Sequence, residues 1–364
     1  MTPPVVQRLL DYVAIKSLSR EEGAITDRVA ADLSAAGLRV ARDGHNVWTE
    51  IGDADRPRLL FNSHLDTVPP GAGWDQDPWK PVLNNGRITG LGANDAKGCV
   101  VALIEAALRL KRRLDAGERL HGRVVLAFVA EEEITGGAGM EAALPRLGPI
   151  DAGIVGEPTG LTPMTAQRGL LILRCVARGR SGHPANTPAD TPNNAIANAA
   201  ADLMRLRDFD WGKPHPLLGK AHAHPTVISG GVARNVIPDA CEFYVDIRTV
   251  PTESHLQLTQ RLRAALDCEV HVHSDRLIAM DTPTDAAIVQ AVIDARPQAK
   301  PGGSPAMSDM VFLAGTPSVK IGPGESPRSH TPNEYVLVSE LEAGVNTYEQ
   351  TALAYFRRMT ERGK

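Results

Sequence analysis

The chain has 364 residues, 43% of them hydrophobic, with 33 glycines, 27 prolines and a formal net charge of −4. This length exceeds one ordinary domain and suits two, while the mild negative charge without a basic cluster excludes nucleic acid as a partner. The longest clean apolar run, residues 124–130, is far too short to span a membrane. Cys99, Cys175, Cys241 and Cys268 lack Cys-x-x-Cys spacing, and Arg8 and Asp11 break the N-terminus. Free thiols, a cytoplasmic location and no signal peptide are therefore expected.

Val5, Val6, Leu9, Leu10 and Val13 fall at helical spacing, as do Ile25, Val29 and Leu33, with Gly37 as C-cap. A β region at 40–51 precedes a short buried strand at 59–61, which runs out into His64 and Asp66. In a strand, residues i and i+2 share a face, so this imidazole and carboxylate can lie side by side. They stand at a strand's carboxyl end, where parallel α/β sheets bind ligands. Residues 71–86, with Trp74, Pro78, Trp79 and Pro81, read as a long ordered loop, and a turn then presents Asp95. Residues 100–114 form a periodic helix whose Lys111, Arg112 and Arg113 suit a C-terminal turn. The hydrophobic strand 124–130 runs into Glu131, Glu132 and Glu133, and residues 154–159 repeat the pattern with Glu157. This alternation predicts an α/β fold with a mixed, mostly parallel sheet flanked by helices.

The rhythm changes near Arg168. Strands at 170–177, 226–229, 242–248 and 269–273 alternate with helices at 193–206 and 255–266 in the order βαββαβ, the ferredoxin-like arrangement. This places an inserted domain at 169–277 between two parts, 1–168 and 278–364, of a first domain. A helix at 286–295, a strand at 317–321 and a final helix from 338 return to that first domain, and His330 lies between the last two.

Imidazole and carboxylate offered from several strand ends make a hard-metal or zinc site. Two histidines and three or more acids suit two ions better than one. Alone, His64 and Asp66 are an ordinary polar strand end, and three consecutive glutamates are a solvated loop. Together with Asp95, Glu157 and His330, and with a buried strand before the triplet, they point to a site. Gly-x-Ser-x-Gly and a Gly-x-Gly-x-x-Gly turn after a strand are absent, which removes a serine hydrolase and a dinucleotide enzyme.

His64-Leu-Asp66-Thr-Val-Pro69, Gly92-Ala-Asn-Asp95-Ala-Lys-Gly98, the acid triplet, Gly156-Glu157-Pro-Thr159, Ser181-Gly-His183-Pro and His330-Thr-Pro-Asn-Glu334 occur in one order. In this the chain resembles the acetylornithine deacetylase / succinyl-diaminopimelate desuccinylase family of dinuclear zinc amidohydrolases, over nearly its whole length. The resemblance implies a zinc exopeptidase-like catalytic domain with an inserted lid and dimerisation domain. It implies two zinc ions, with cobalt able to substitute: His64 and Glu157 on one, Glu133 and His330 on the other, Asp95 bridging. Asp66 would orient His64, and Glu132 would be the general base, whereas a zinc-stabilised binding module would lack such an acid. The family commonly has Asp where this chain has Glu131.

The resemblance further implies that His183 stabilises the oxyanion from the partner subunit of a homodimer. Arg168, Arg234, Asn235 and Arg248 would grip the substrate's free carboxylate, a task suited to the guanidinium fork, with Arg328 and Ser308 as further candidates. His222/His224 and His271/His273 read as loop and strand-surface residues. Peptidases of the family tend to have Asp where Glu157 stands, which favours a deacylase. The implied reaction is conversion of N2-acetyl-L-ornithine to ornithine and acetate, a step of arginine biosynthesis. The alternatives are N-succinyl-diaminopimelate, N-acetylcitrulline or N-acetyllysine as substrate, or a dinuclear zinc carboxypeptidase.

Overall fold

The strand Arg58–His64 lies between Arg123–Val129 and Ala152–Val155, parallel to both, in the computed structural model, which describes residues 3–188 and 194–362. Both central strands, Arg58–His64 and Arg123–Val129, are buried along nearly their whole length, as expected where both faces of a parallel sheet are covered. The sheet continues outward through Asn46–Gly52 and Val40–Asp43 on one side, and through Ser318–Lys320 and Met164–Gln167 on the other. Its centre is parallel, and the hairpin Val40–Gly52 and the strand Met164–Gln167 join antiparallel.

Helices Pro4–Val13, Gly23–Ala35, Lys97–Asp115, Ala287–Ala295 and Val338–Arg362 flank this sheet. Their apolar residues join Leu59, Phe61, Leu126 and Ile154 in one core, with Val101, Ile288 and Tyr348 among them. Helix Lys97–Asp115 is buried from Lys97 to Ala107 and becomes polar only toward its end, where Arg112 and Arg113 meet the negative pole of the helix. The segment read as a long loop is partly a hairpin. Val82–Asn84 pairs with Arg87–Thr89, and Tyr335–Leu337 adds a third strand. Asn85 and Gly86 turn it with φ of +48° and +75°, the two positive values a two-residue type I′ turn requires. The Asn-Gly pair was a legible signal for it.

Apart from Ala166 and Gln167, these elements belong to one unit, Met1–Thr165, Thr282–Gly302 and Ser308–Lys364; the second is Ala166–Asp281 with Gly303–Met307. The second unit is a four-stranded antiparallel sheet in the order His222–Gly230, Ala240–Thr249, Gly169–Arg178, Glu269–Leu277. Helices Ala195–Arg207 and His255–Ala265 complete the βαββαβ order. Asn194 caps the first helix and a Ser254–Gln257 capping box starts the second; Asn193, where the sequence begins the first helix, lies outside the described residues. Cys241, Phe243, Val245 and Ile247 alternate inward against Leu171, Leu173 and Leu262. The unit is wider than 169–277 because Met280 and Asp281 pair with Gln167 and Ala166, and Arg168 N–H bonds to Ser304 O.

Candidate metal centre

Three neighbouring parallel strands end together: His64 is level with Val129, and Asn62 with Val155. The chain therefore delivers His64, the acids after Val129, and Glu157 to one edge of the sheet. Asp95 arrives on the turn before helix Lys97–Asp115. Gly92 at φ +79° starts that turn, and a Cβ there would meet Thr67 Cγ2 at 2.7 Å. Both Asn94 and Asp95 donate their N–H to Glu334 Oε1 at 2.9 Å, so Glu334 ties the Asp95 turn to the His330 loop. His330 itself has φ +59°.

Ligand atoms of His64, Asp95 and Glu157 lie within 4.8 Å of one another, and so do those of Asp95, Glu133 and His330. His64 Nε2 is 3.2 Å from Asp95 Oδ1 and 3.9 Å from Glu157 Oε1. His330 Nε2 is 2.9 Å from Glu133 Oε2 and 3.7 Å from Asp95 Oδ2. Asp95 thus stands between two triads, one oxygen toward each. Among the described residues these are the only such groups of three.

The electrostatics are those of a site that lacks enough positive charge. Burial pushes Glu157 up to about 8, with Asp95 and Asp309 adding to the effect against Lys320 and His64. Burial likewise raises Glu133 and Glu132; Glu157 adds to the effect at Glu132, and Asp95 at Glu133. His330, bonded to Glu133, is raised to about 9. Burial opposes the charge on His64, yet Asp66 and Asp95 hold its pKa well above the ordinary value. Burial also works against ionised Asp95, but His64, Ser329 and His330 keep its carboxyl below the usual range. Glu133 Oε1 is buried with no hydrogen-bond partner among the described residues. Four carboxylates (Asp95, Glu132, Glu133, Glu157), two imidazoles and an orphaned buried acceptor fit two divalent cations, whose charges balance the acids.

Asp66 is fully buried behind His64, Oδ1 3.3 Å from Nδ1, which leaves Nε2 directed at Asp95 and Glu157. Its two oxygens also accept the backbone N–H groups of Glu132 and Glu133, each at 3.1 Å, and Oδ2 takes the Ser19 hydroxyl at 2.7 Å. Glu131 turns away from the triads. With φ +57° it directs its carboxylate to Ala138 N–H and toward Arg20, so the departure from Asp at this position does not touch the ligands.

The other candidates lie in the second unit or serve the first. His183 is exposed, and its Nδ1 accepts the Ala185 N–H at 3.2 Å, which leaves Nε2 to carry the proton. Arg168 donates to the carbonyls of Lys220, Leu218 and Arg248, bonds internal to its unit. Arg248 forks onto Asp246 at 2.8 and 3.2 Å, while Arg234 and Asn235 are exposed on a turn. Arg328 forks onto Glu340 at 2.8 and 3.0 Å and stacks on Tyr335, and Ser308 caps a short 3-10 turn. His222 and His224 sit on a strand rather than a loop, and His271 and His273 on another. Asp309 escaped the sequence reading. It is buried, held up to about 7 by burial, and accepts from the Asn62 amide at 3.2 Å once that amide is oriented to satisfy both its ends. No motif spacing marks it.

The profile of peptidase family M20/M25/M40 matches residues 60–354. An acetylornithine deacetylase from Myxococcus xanthus is 29% identical, covering 93% of this chain and 94% of its own. A succinyl-diaminopimelate desuccinylase from Halorhodospira halophila is also 29% identical, over 90% and 92%. Among solved structures, a dinuclear metal-binding peptidase of family M20 from Bacillus subtilis superposes with a TM-score of 0.74 at 18% identity, covering 96% of each chain. No helix among the described residues is long and apolar enough to cross a membrane.

Proposed function

Since this chain belongs to peptidase family M20/M25/M40 and is a hydrolase of that family, we propose that it cleaves the amide bond of N-acyl amino acids with two zinc ions, N2-acetyl-L-ornithine being the preferred substrate. The observation that carries the reading is the pair of triads sharing Asp95. His64 and Glu157 would hold one ion, Glu133 and His330 the other, with Asp95 common to both; cobalt suits the same donors. Bound zinc acidifies water and polarises an amide carbonyl.

Glu132 supplies the proton transfers. It follows Glu131 out of the strand and precedes a ligand, so it stands at the ions without being needed to bind them. As base it takes a proton from water, and as acid it returns that proton to the leaving amine nitrogen. His183, with its proton on Nε2, is assigned to the oxyanion. Arg248, with Asn235, Arg234 and Arg168, is assigned to the free carboxylate. For Arg248 this requires exchange of Asp246 for the substrate.

The edge strand His222–Gly230 exposes Val227 at 57% and Ile228 at 54%. A bare apolar edge of this kind is a template for pairing, and it supports a homodimer through the second unit; a monomer in sedimentation velocity at full activity would remove that assignment. The experiment for the activity compares kcat/KM on N-acetylornithine, N-acetylcitrulline, N-acetyllysine and N-succinyl-diaminopimelate with zinc or cobalt added. Preference for N-acetylornithine supports the reading. Preference for the succinyl substrate moves the enzyme to the desuccinylase branch, represented by a relative of equal identity.

A further inference from the structure

The acid loop is held from behind by a carboxylate that the catalytic reading does not use. Glu22 is fully buried. Its Oε1 accepts the backbone N–H groups of Arg20 at 2.8 Å and Glu131 at 3.1 Å, and its Oε2 meets His45 Nδ1 at 2.7 Å. Asp66 takes the next two N–H groups, those of Glu132 and Glu133. Three consecutive backbone N–H groups of the triplet therefore end on two buried carboxylates. Bonds to an ionised acceptor are shorter and stronger than neutral ones.

The loop needs such anchors. Glu131 and Thr135 have φ of +57° and +48°, left-handed values that non-glycine residues keep only when their surroundings enforce them. Asn46 pins the two ends, its amide bonding Ala130 N–H at 3.0 Å and Ala138 O at 2.7 Å. At Gly136 any Cβ would strike the Glu131 carboxylate. Asn46 fixes where the loop starts and stops, and Glu22 fixes the left-handed residue directly before Glu132.

We propose that Glu22, oriented by His45, is a positioning residue for Glu132: through the Glu131 N–H it sets the backbone from which the base projects. This rests on the reading of Glu132 as the base. The test uses zinc-loaded protein and two readouts, backbone hydrogen exchange at Glu131–Glu133 and steady-state hydrolysis of the best N-acyl amino acid. In Glu22→Ala the Glu131 amide should exchange about tenfold faster or more. The kcat should fall about 10- to 100-fold, the scale of a slightly misplaced catalytic group, with KM within about twofold and zinc content unchanged. Glu22→Gln keeps an oxygen for the two N–H groups and should recover most of kcat. Unchanged exchange at Glu131, unchanged kcat, or a loss of kcat that only follows a loss of zinc overturns the proposal. Should Glu22→Ala not fold, His45→Ala carries the same readouts: faster exchange with lower kcat supports the proposal, and neither change overturns it. If the wild type hydrolyses no N-acyl amino acid, the proposed function fails instead, and the exchange measurement still decides the role of Glu22.

Discussion

The buried Asp66 carboxylate accepts the backbone N–H of Glu132 at 3.1 Å while its same oxygen faces His64 Nδ1 at 3.3 Å. The Asp66 carbonyl also meets Nδ1, at 3.1 Å, so this one residue, by main chain and side chain, sets the tautomer of a metal-ligand candidate, and its carboxylate sets the position of the general-base candidate. Asp66→Asn keeps one acceptor oxygen and loses the charge. It should weaken zinc binding by about 10- to 100-fold, the usual cost of losing a ligand's carboxylate partner, and should lower kcat as well. Zinc affinity and kcat measured on one preparation check this; an affinity loss with kcat intact at saturating zinc would confine Asp66 to the metal.

Glu132 and Glu133 are neighbours with separate tasks. Glu132→Gln should keep both ions and lose turnover by about 10²- to 10⁴-fold, the contribution of general base catalysis. Glu133→Gln should instead lose one ion, because its Oε2 faces His330 and its Oε1 lies buried with no hydrogen-bond partner among the described residues. Metal analysis beside kcat separates the two. Near wild-type turnover in Glu132→Gln would shift the register of the triplet.

The two larger sheets and most of the candidate site were legible because burial leaves a periodic trace, whereas the small sheet of Val82–Asn84, Arg87–Thr89 and Tyr335–Leu337 was not, apart from its Asn-Gly turn. The runs at 59–61 and 124–130 announced the central strands, and the βαββαβ rhythm announced the second unit. His64, Asp95, Glu133, Glu157 and His330 stood out because motif and strand end coincided. Glu22, Asn46 and Asp309 did not, since each acts through contacts distant in sequence, as between Glu22 and Glu131. Arg168 and Arg248 show the converse: a charged side chain can be named from sequence, but its partner, backbone carbonyls in one case and Asp246 in the other, cannot.

The metal-free chain should lose stability as pH rises from 5 to 7. Burial holds Glu157 and Glu334 at about 8, against an ordinary value of 4.5. Between those values the folded chain binds protons that the unfolded chain has released, so the stability present at low pH is lost as pH climbs toward 8. Asp66 and Asp95, with lowered values, titrate below this window. Zinc requires the carboxylates deprotonated, so its stabilisation should grow across the same range. Urea midpoints at pH 5, 6 and 7 with EDTA and with zinc test both statements; a metal-free midpoint that rises with pH contradicts the first.

If Arg248 reads the substrate carboxylate, wild type should prefer an N-acyl amino acid to its amide, and Arg248→Ala should lose that preference. Arg248→Lys keeps the charge without the fork and should still be impaired by roughly 1 kcal/mol or more. Because Asp246 already occupies the fork, equal discrimination by wild type and Arg248→Ala would make the pair internal to its strand and direct attention to Arg234.

A centre of two ions shared by Asp95 can be tested in a single titration. Protein stripped with EDTA is titrated with zinc while hydrolysis of N2-acetyl-L-ornithine and bound zinc are followed together. The prediction is no hydrolysis without metal, two zinc ions bound per chain, and activity that reaches its plateau at the second equivalent. Asp95→Asn should impair both binding steps. Full activity in stripped protein, or a plateau at one ion with Asp95→Asn binding as wild type, would contradict the shared two-ion centre.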